Sequence, residues 1–303
     1  MRYFLFLTIS LFISVQSFAQ GCSDAGFCSL SVLKNNVEDP AKHTFSFGTS
    51  YGLGEQKTST INPYAEYGLK LNDRLAFSTK LTATYANGFL GHAFDIGDLY
   101  GSIVYSPKSS TKNSVSFIGG IKLPLTTAND KNSVGKPLSL DYQSSIGTFD
   151  AIGGINYIIN KKWEFDAGLQ VPVYQNNKNT FFPDEYADPR VLKFAPTNNF
   201  RRKSDVLARF GYYLNISSSF ILKPNLLGIY HLGNDTYEDR FGQRQTIQNS
   251  DGLTLNGALT AVKKLKNGNS IEIIAATPFI VRTIRPDGLT RGLVLNVQYN
   301  FTW

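Results

Sequence analysis

Apolar and polar residues alternate with a period of two along much of the chain. The C-terminal stretch is the clearest example, because every second residue from Leu293 to Trp303 is apolar or aromatic and the residues between them are mostly polar. Successive side chains of a β-strand point to opposite faces, so this pattern predicts strands with one apolar and one polar face. The pattern predicts about twelve strands, at residues 43–52, 61–71, 74–86, 97–106, 114–124, 146–159, 162–174, 205–216, 218–231, 252–264, 269–282 and 289–303.

The polar face of these strands carries many charges, among them Lys80, Glu164 and Arg209. A soluble β-sandwich would have to bury such charges unpaired in its core, at a large cost in free energy. A membrane barrel has an apolar exterior and a polar interior and accommodates them. The chain is therefore predicted to be all-β, a transmembrane antiparallel up-and-down β-barrel of about twelve strands.

The connections between the predicted strands alternate in length. The short ones are Asn72-Asp73, 107–113, Asn160-Lys161, Ser217 and 265–268. The others are mostly longer, at 53–60, 87–96, 125–145, 175–204, 232–251 and 283–288. Short periplasmic turns and long outer loops are typical of Gram-negative outer-membrane barrels, and an even strand number places both termini in the periplasm. The size of the aromatic-rich loop 175–204 suggests the hypothesis that it folds inward and gates the barrel.

The N-terminus resembles a targeting segment rather than part of the barrel. An apolar run from Phe4 to Val15 precedes Ala19, and residues 1–19 are predicted to be a signal peptide. A lipoprotein signal that uses Cys22 is the alternative. Residues 20–42 are predicted to form a short periplasmic or plug segment, and 43–303 the barrel. Cys22 and Cys28 are the only cysteines and are predicted to pair as a disulfide, either a local staple or part of a plug.

Composition narrows the possible functions. The chain of 303 residues has 17% charged and 13% aromatic residues, with only three histidines and one methionine. It has no glycine-rich phosphate-binding motif. We therefore predict no catalytic residues, no cofactor and no metal site, and no nucleic-acid partner. The expected partners are outer-membrane lipid, lipopolysaccharide and a small-molecule solute, while partner proteins remain open. The net charge of +7 is expected in solvated loops and turns, or on basic outer loops that meet lipopolysaccharide phosphates.

Charges on the inward face define the candidate site. The predicted lumen-lining residues, which could form a constriction, are Lys122, Asp150, Glu164, Asp166, Arg209, Lys223, Glu272 and Arg282. The densest part is expected where Asp150, Glu164 and Asp166 meet Lys122 and Arg209. Two interpretations are open: a salt-bridged interior that replaces a hydrophobic core, or a lined path for a small solute. Prolines within predicted strands should mark bulges or gaps in pairing; they are Pro124, Pro172, Pro224 and Pro278.

Two short segments carry a family resemblance. The strand Phe117–Pro124, which ends in Gly-Ile-Lys-Leu-Pro, and the strand start Ile146-Gly147-Thr148-Phe149-Asp150 resemble the outer-membrane family named for a meta-pathway of phenol degradation. The resemblance implies a transporter-like barrel, related in concept to channels for hydrophobic compounds that have an N-terminal hatch. The signal end Phe18-Ala19-Gln20 and the residues that follow it are also similar to exported barrels of Bacteroidetes-type bacteria.

Three functions are compatible with these features. The first is an outer-membrane channel or transporter for small molecules, including hydrophobic ones. The second is a structural or assembly barrel that holds a partner through residues 20–42 or its outer loops. The third is an outer-membrane lipid hydrolase, which would need serine and histidine side by side near the outer rim. His231 is the histidine expected at an outer strand end.

Overall fold

The computed structural model describes residues 42–107, 112–288 and 291–303. The predicted signal peptide, the Cys22–Cys28 disulfide and nearly all of the predicted plug segment lie outside the described residues. Within the described ranges, no helix is both long and apolar enough to cross a membrane. The helical elements described are short 3-10 turns at Glu55–Lys57, Leu140–Tyr142, Pro183–Glu185 and Pro189–Lys193.

Strands make up most of the chain and close into one barrel. They are β1 His43–Gly54, β2 Ser59–Asn72, β3 Leu75–Gly88, β4 Gly91–Tyr105, β5 Ser114–Pro124, β6 Thr148–Ile159, β7 Trp163–Gln175, β8 Asp205–Tyr212, β9 Leu214–Ser217, β10 Phe220–His231, β11 Thr236–Glu238, β12 Arg244–Thr246, β13 Gly252–Lys264, β14 Ser270–Ile280 and β15 Arg291–Thr302. Each barrel strand pairs antiparallel with its neighbours, and β1 pairs with β15 to close the wall. Because β8 and β9 together form one interrupted strand and β11–β12 is a separate hairpin, the predicted twelve-stranded transmembrane barrel is confirmed.

The period-two pattern separates an apolar outside from a polar inside. On β1 and β15, Phe47 and Val297 point outward, with 58% and 49% of their surface exposed, whereas Ser46, Asn296 and Gln298 are buried inside. The outward aromatic and aliphatic side chains continue around the whole barrel. A continuous exposed apolar belt is stable only against lipid, while the inward polar groups find partners within the lumen.

The two ends of the barrel differ. We call the end with the short connections and the paired residues His43 and Trp303 the turn end, and the opposite end the loop end. The predicted long connection 87–96 is wrong. β3 ends at Gly88 and β4 begins at Gly91, so only two residues connect them. Outward Tyr85 and Phe94 extend the alternation there, and the polar residues among them concealed the pattern in the sequence.

Most of the prolines interrupt strand pairing as predicted. The register of β6 with β7 shifts beside Pro172, and that of β13 with β14 shifts beside Pro278. Pro224 interrupts the pairing of β10 where β8 ends and β9 begins. The bulge predicted at Pro124 is not observed, because this proline is the last residue of β5. The missing amide donor of proline accounts for the three interruptions.

Candidate functional site

The barrel lumen contains a cavity that is partly open to solvent, with about 1550 Å³ of non-atom space when that open solvent is included. Its lining divides into two walls of different chemistry. The charged wall comprises Lys80, Asp98, Lys122, Arg209 and Lys223, from β3, β4, β5, β8 and β10. The other wall, which we call the apolar wall, comprises Ile221, Ala258, Val262, Ile274, Ala276 and Val294, from β10, β13, β14 and β15; the polar residues Asn225, Thr260, Glu272 and Asn296 of the same strands also line it. The cavity is thus amphipathic, since one solute can contact ions on one side and hydrocarbon on the other.

Lys122 is the centre of the first ionic group on the charged wall. Its Nζ lies 3.0 Å from a carboxylate oxygen of Asp150 and 3.8 Å from one of Asp98, and it donates to Thr148 Oγ1 at 2.8 Å. Gln170 Nε2 donates to the same Asp150 carboxylate. All of these side chains are buried, so their charges are compensated locally rather than by bulk water.

A second ionic group lies nearer the turn end. Glu164 is 2.9 Å from Lys223 Nζ and 3.7 Å from an Nη of Arg209. Arg209 Nε also donates to Asp166 at 2.7 Å. Tyr213 donates to Glu164 at 3.0 Å. The sequence predicted one dense cluster, but the structure has two, because inward residues on β6 and β7 lie at different heights along the barrel axis.

A glycine on β1 leaves room for a tyrosine of β2 to reach across to β15 on the inner side of the barrel wall. Tyr64 of β2 donates through its hydroxyl to Gln298 at 2.7 Å and to Asn296 at 3.1 Å, both on β15. It passes over Gly48 of β1, where a Cβ atom would clash with the phenol ring. The Nζ of Lys80 lies 4.1 Å from the centre of the Tyr64 ring, a cation–π contact. Glu272 of β14 also lines the cavity.

A segment of the loop between β5 and β6 covers the cavity at the loop end. We call residues 138–146 the lid segment. Six of them line the cavity: Leu140, Asp141, Gln143, Ser144, Ser145 and Ile146. Ser145 Oγ donates to Asp98 at 2.5 Å and so joins the lid segment to the charged wall. The predicted inward-folding loop 175–204 does not line this cavity. It packs above the lid segment instead.

Two apolar clusters hold the lid segment in place, and we call them together the loop cap. In the first, Leu138 and Tyr142 pack against Phe181 and Phe194 of the loop between β7 and β8. In the second, Leu140 and Ile146 pack against Ala128 of the same loop and against Phe200 and Ile247 of two other loops. Asn179 Nδ2 donates to the Leu138 carbonyl at 2.9 Å. No period-two pattern exists in these loops, so only their apolar content could have suggested the cap.

A buried ionic group ties three loops together beside the cap. Arg282 donates to Asp287 at 2.7 Å and to the Ser250 carbonyl at 2.7 Å, and Arg202 pairs with Asp205. Burial alone raises the pKa of the Asp287 carboxyl, but Arg282 and Arg202 outweigh it and hold that pKa well below its usual range. The prediction that Arg282 lines the lumen from a strand is wrong, because β14 ends at Ile280 and Arg282 lies in the following loop.

The arrangement around His231 does not resemble a hydrolase site. This side chain is 1% exposed and lies on the inward face of β10, away from lipid. Its Nδ1 lies 2.5 Å from Asp205 and its Nε2 lies 2.8 Å from Asp235, so both ring nitrogens face carboxylates rather than a serine. Among the residues that the structure describes, no group of three or more His, Cys, Asp and Glu is arranged to hold a metal ion.

Comparison with known proteins supports the architecture. No protein-family model matches the chain, and no curated protein matches it. Its fold is similar to that of an outer membrane channel from Pseudomonas putida F1, with a TM-score of 0.58 and 12% identity over 87% of this chain and 96% of that one. The NanC porin is less similar, with a TM-score of 0.48 and 10% identity over 86% and 98% of the two chains. At 12% identity, the similarity to the Pseudomonas putida channel shows a shared barrel fold alone.

Proposed function

We propose that the protein is an outer-membrane channel for small solutes, closed at its loop end by the lid segment. The observation that carries this proposal is the cavity inside the barrel, which side chains from ten strands and from the lid segment line. A barrel whose interior served only as a structural core would fill this space with side chains. Here the covering element belongs to a loop, and loops are the parts of a barrel that can move without breaking strand pairing.

The placement in the membrane follows from the outer surface. The apolar belt fits lipid, and aromatic residues such as Trp163, Tyr157 and Trp303 lie near the turn end, with Tyr85 and Tyr230 near the loop end. Aromatic girdles mark the two membrane interfaces. Since outer-membrane barrels have short periplasmic turns, the turn end and both termini are proposed to face the periplasm.

The two walls of the cavity favour one class of solute. A strongly hydrophobic molecule would have to displace water from Lys80 and Asp98 without replacing its hydrogen bonds, which costs free energy. A sugar would leave Ile274 and Val262 in contact with a polar surface. A small amphiphilic solute, with an apolar part and a charged or polar part, satisfies both walls. The resemblance to channels for hydrophobic compounds is compatible with this class.

A pair of glycine variants tests the lid. Gly288 has a positive φ of 67° and lies against the Leu140 carbonyl of the lid segment, whereas Gly135 has a φ of 79° and open space around its Cα. Alanine at either position carries the same kind of backbone strain. Only Gly288→Ala pushes on the lid segment. We expect a higher single-channel conductance in planar bilayers for Gly288→Ala than for wild type and for Gly135→Ala.

Solute choice is measured separately. Proteoliposomes with the Gly288→Ala protein should take up L-phenylalanine faster than glucose, which has a similar mass but no apolar part. Equal conductance of the two glycine variants would contradict the role of the lid segment. Absence of conductance and of solute uptake in every variant would contradict the channel itself. Faster uptake of glucose would contradict the amphiphilic class.

A further inference from the structure

Basic residues concentrate at the turn end of the barrel. The turns described there and the strand residues beside them hold nine lysine and arginine side chains, whereas Asp73 is the one exposed acidic side chain described at this end. We call these nine the basic ring: Lys42, Lys70, Arg74, Lys112, Lys161, Lys162, Lys263, Lys264 and Lys266. All but Lys70 are exposed. The four long loops of the loop end, in contrast, hold twelve basic and ten acidic side chains.

The loop end neutralises its charges in local pairs. Arg240 contacts Asp184 at 2.8 Å and Glu185 at 3.4 Å, and Arg190 contacts Asp188 at 2.5 Å. At the turn end, the described ion pair is that of Lys70 with Asp73, at 3.5 Å. The positive potential of the molecule is therefore strongest at the turn end, and it points away from the surface where lipopolysaccharide would lie.

Most of the basic ring lies in turns around the barrel, and Lys70 and Lys264 are the two members that share the inward register of their strands. Its members occupy the turns β2–β3, β6–β7 and β13–β14, the start of β5 and the start of β1. The inward residues closest to this end have partners inside the barrel: Ser46 donates to Asn300 at 2.6 Å, Ser78 and Ser102 are 2.7 Å apart, and Glu164 lies 2.9 Å from Lys223 Nζ. A ring of exposed turn residues outside this internally paired mouth is poorly placed to bind a solute within the lumen.

Lipid-facing aromatics adjoin the basic ring. Lys162 precedes Trp163, which lies on the apolar belt and stacks on Phe210 with ring centres 5.4 Å apart. Lys263 continues the outward face of β13 and is exposed. Long basic side chains at such positions place their methylenes against hydrocarbon and their charges at headgroup depth. The partner that contacts a barrel on all sides at this depth is a lipid leaflet.

We propose that the basic ring binds the phosphate groups of anionic phospholipids in the leaflet at the turn end. Each basic side chain close to an anionic membrane surface strengthens binding several-fold, and the effect is screened by salt. The proposal depends on the transmembrane barrel and not on transport, so its test is independent of the test of the proposed channel function. In the orientation proposed above, this leaflet is the periplasmic one.

Lipid titration tests the proposal with a matched pair of variants. The turn-end variant is K161Q/K162Q/K263Q/K264Q, and the control variant K131Q/K178Q/K193Q/K203Q removes the same charge from exposed positions of the loop end. Detergent-purified proteins are titrated with phosphatidylglycerol or phosphatidylcholine, and bound lipid is counted by native mass spectrometry. Wild type and control should prefer phosphatidylglycerol, and the turn-end variant should bind it about tenfold more weakly. The bound phosphatidylglycerol should decrease as salt is added.

Four results would overturn the proposal. Wild type could bind the two lipids equally, the turn-end variant could keep its preference for phosphatidylglycerol, or the control variant could lose that preference to the same extent. Binding of a soluble polyanion such as polyphosphate in place of lipid, at equal phosphate concentration, would also overturn it in favour of a soluble partner. Unchanged thermal unfolding temperatures in phosphatidylcholine show that both variants are folded.

Discussion

The charged wall and the loop cap both restrict the lumen, but they are held together by different forces. On the charged wall, Lys122 and Lys223 are buried, and each is paired with a buried carboxylate, Asp150 and Glu164 respectively. In the loop cap, Leu138 and Phe181 are equally buried but pack through apolar contact. Removing one ion leaves a buried charge uncompensated, whereas removing one ring leaves a cavity. A substitution in the charged wall should therefore destabilise the whole barrel, and a substitution in the loop cap should loosen only the loops.

The largest effect is expected for Lys122→Met. This change leaves the carboxylates of Asp150 and Asp98 buried without their cation, which should lower the free energy of unfolding by about 3–5 kcal/mol. The measurement is the urea midpoint for unfolding in detergent micelles. Lys263→Met, at an exposed turn-end position, is the control and should change little. A midpoint that does not change in Lys122→Met would mean that the wall charges are not coupled to barrel stability.

A somewhat smaller and more local effect is expected for Phe181→Ala. The ring is fully buried in the cap, and its loss should weaken loop closure by about 3 kcal/mol. Protease cleavage within 125–147 should accelerate while the urea midpoint of the barrel stays constant. Phe241→Ala, which removes a ring that is 89% exposed, should do neither. If the midpoint falls together with loop protection, then cap and barrel unfold as one unit.

The ionic group beside the cap predicts a pH dependence. The pKa of Asp287 is depressed by Arg282 and Arg202, so its contribution to closure is present above the unfolded-state value of about 3.9 and is lost as the pH falls through the folded value. Hydrogen-exchange protection of residues 281–288, measured relative to the intrinsic exchange rate at each pH, should therefore be high at neutral pH and fall in strong acid. The charged and titratable neighbours that share this site are Arg202, Asp205, His231, Asp235 and Arg282.

Asp287→Asn separates this carboxylate from its neighbours. The amide keeps the shape but loses the charge, so loop closure at neutral pH should weaken by about 2 kcal/mol, the range for a hydrogen bond to a charged group. The loss of protection in acid should also be smaller than in wild type. An acid response as large as that of wild type would assign the pH dependence to Asp235 or Asp205 instead.

The smallest effect is expected for Tyr64→Phe. The ring and its contact with Lys80 remain, and only the hydroxyl bonds to Gln298 and Asn296 are lost. The free energy of unfolding should fall by about 1 kcal/mol without a change in conductance. Gly48→Ala should cost more, because its Cβ would displace the whole ring. If the two variants are equal, the close approach over Gly48 contributes nothing.

Parts of the site could be read from the sequence. Seven of the predicted lumen-lining residues lie on barrel strands, and Lys122, Asp150, Glu164, Asp166 and Lys223 are inward-facing and paired there. Which charges pair could not be predicted, because pairing depends on the heights of residues on neighbouring strands. The height of a residue along the barrel axis depends on the register between strands. The register shift beside Pro172, for example, depends on the sequences of both β6 and β7. Arg282 was misplaced for a related reason, since strand ends are fixed by partner strands.

The sequence alone determined the twelve strands, their apolar outer face and their polar inner face, because side-chain direction along a strand is fixed locally by the backbone. The tertiary structure decided that the loop after β5 covers the lumen and that the basic side chains gather at the turn end. Neither has a local period, since contacts such as that of Leu138 with Phe181 join residues far apart in the chain. Burial of the loops and the difference in charge between the turn end and the loop end arise only when the barrel closes, because closure brings residues from distant parts of the chain to the same end.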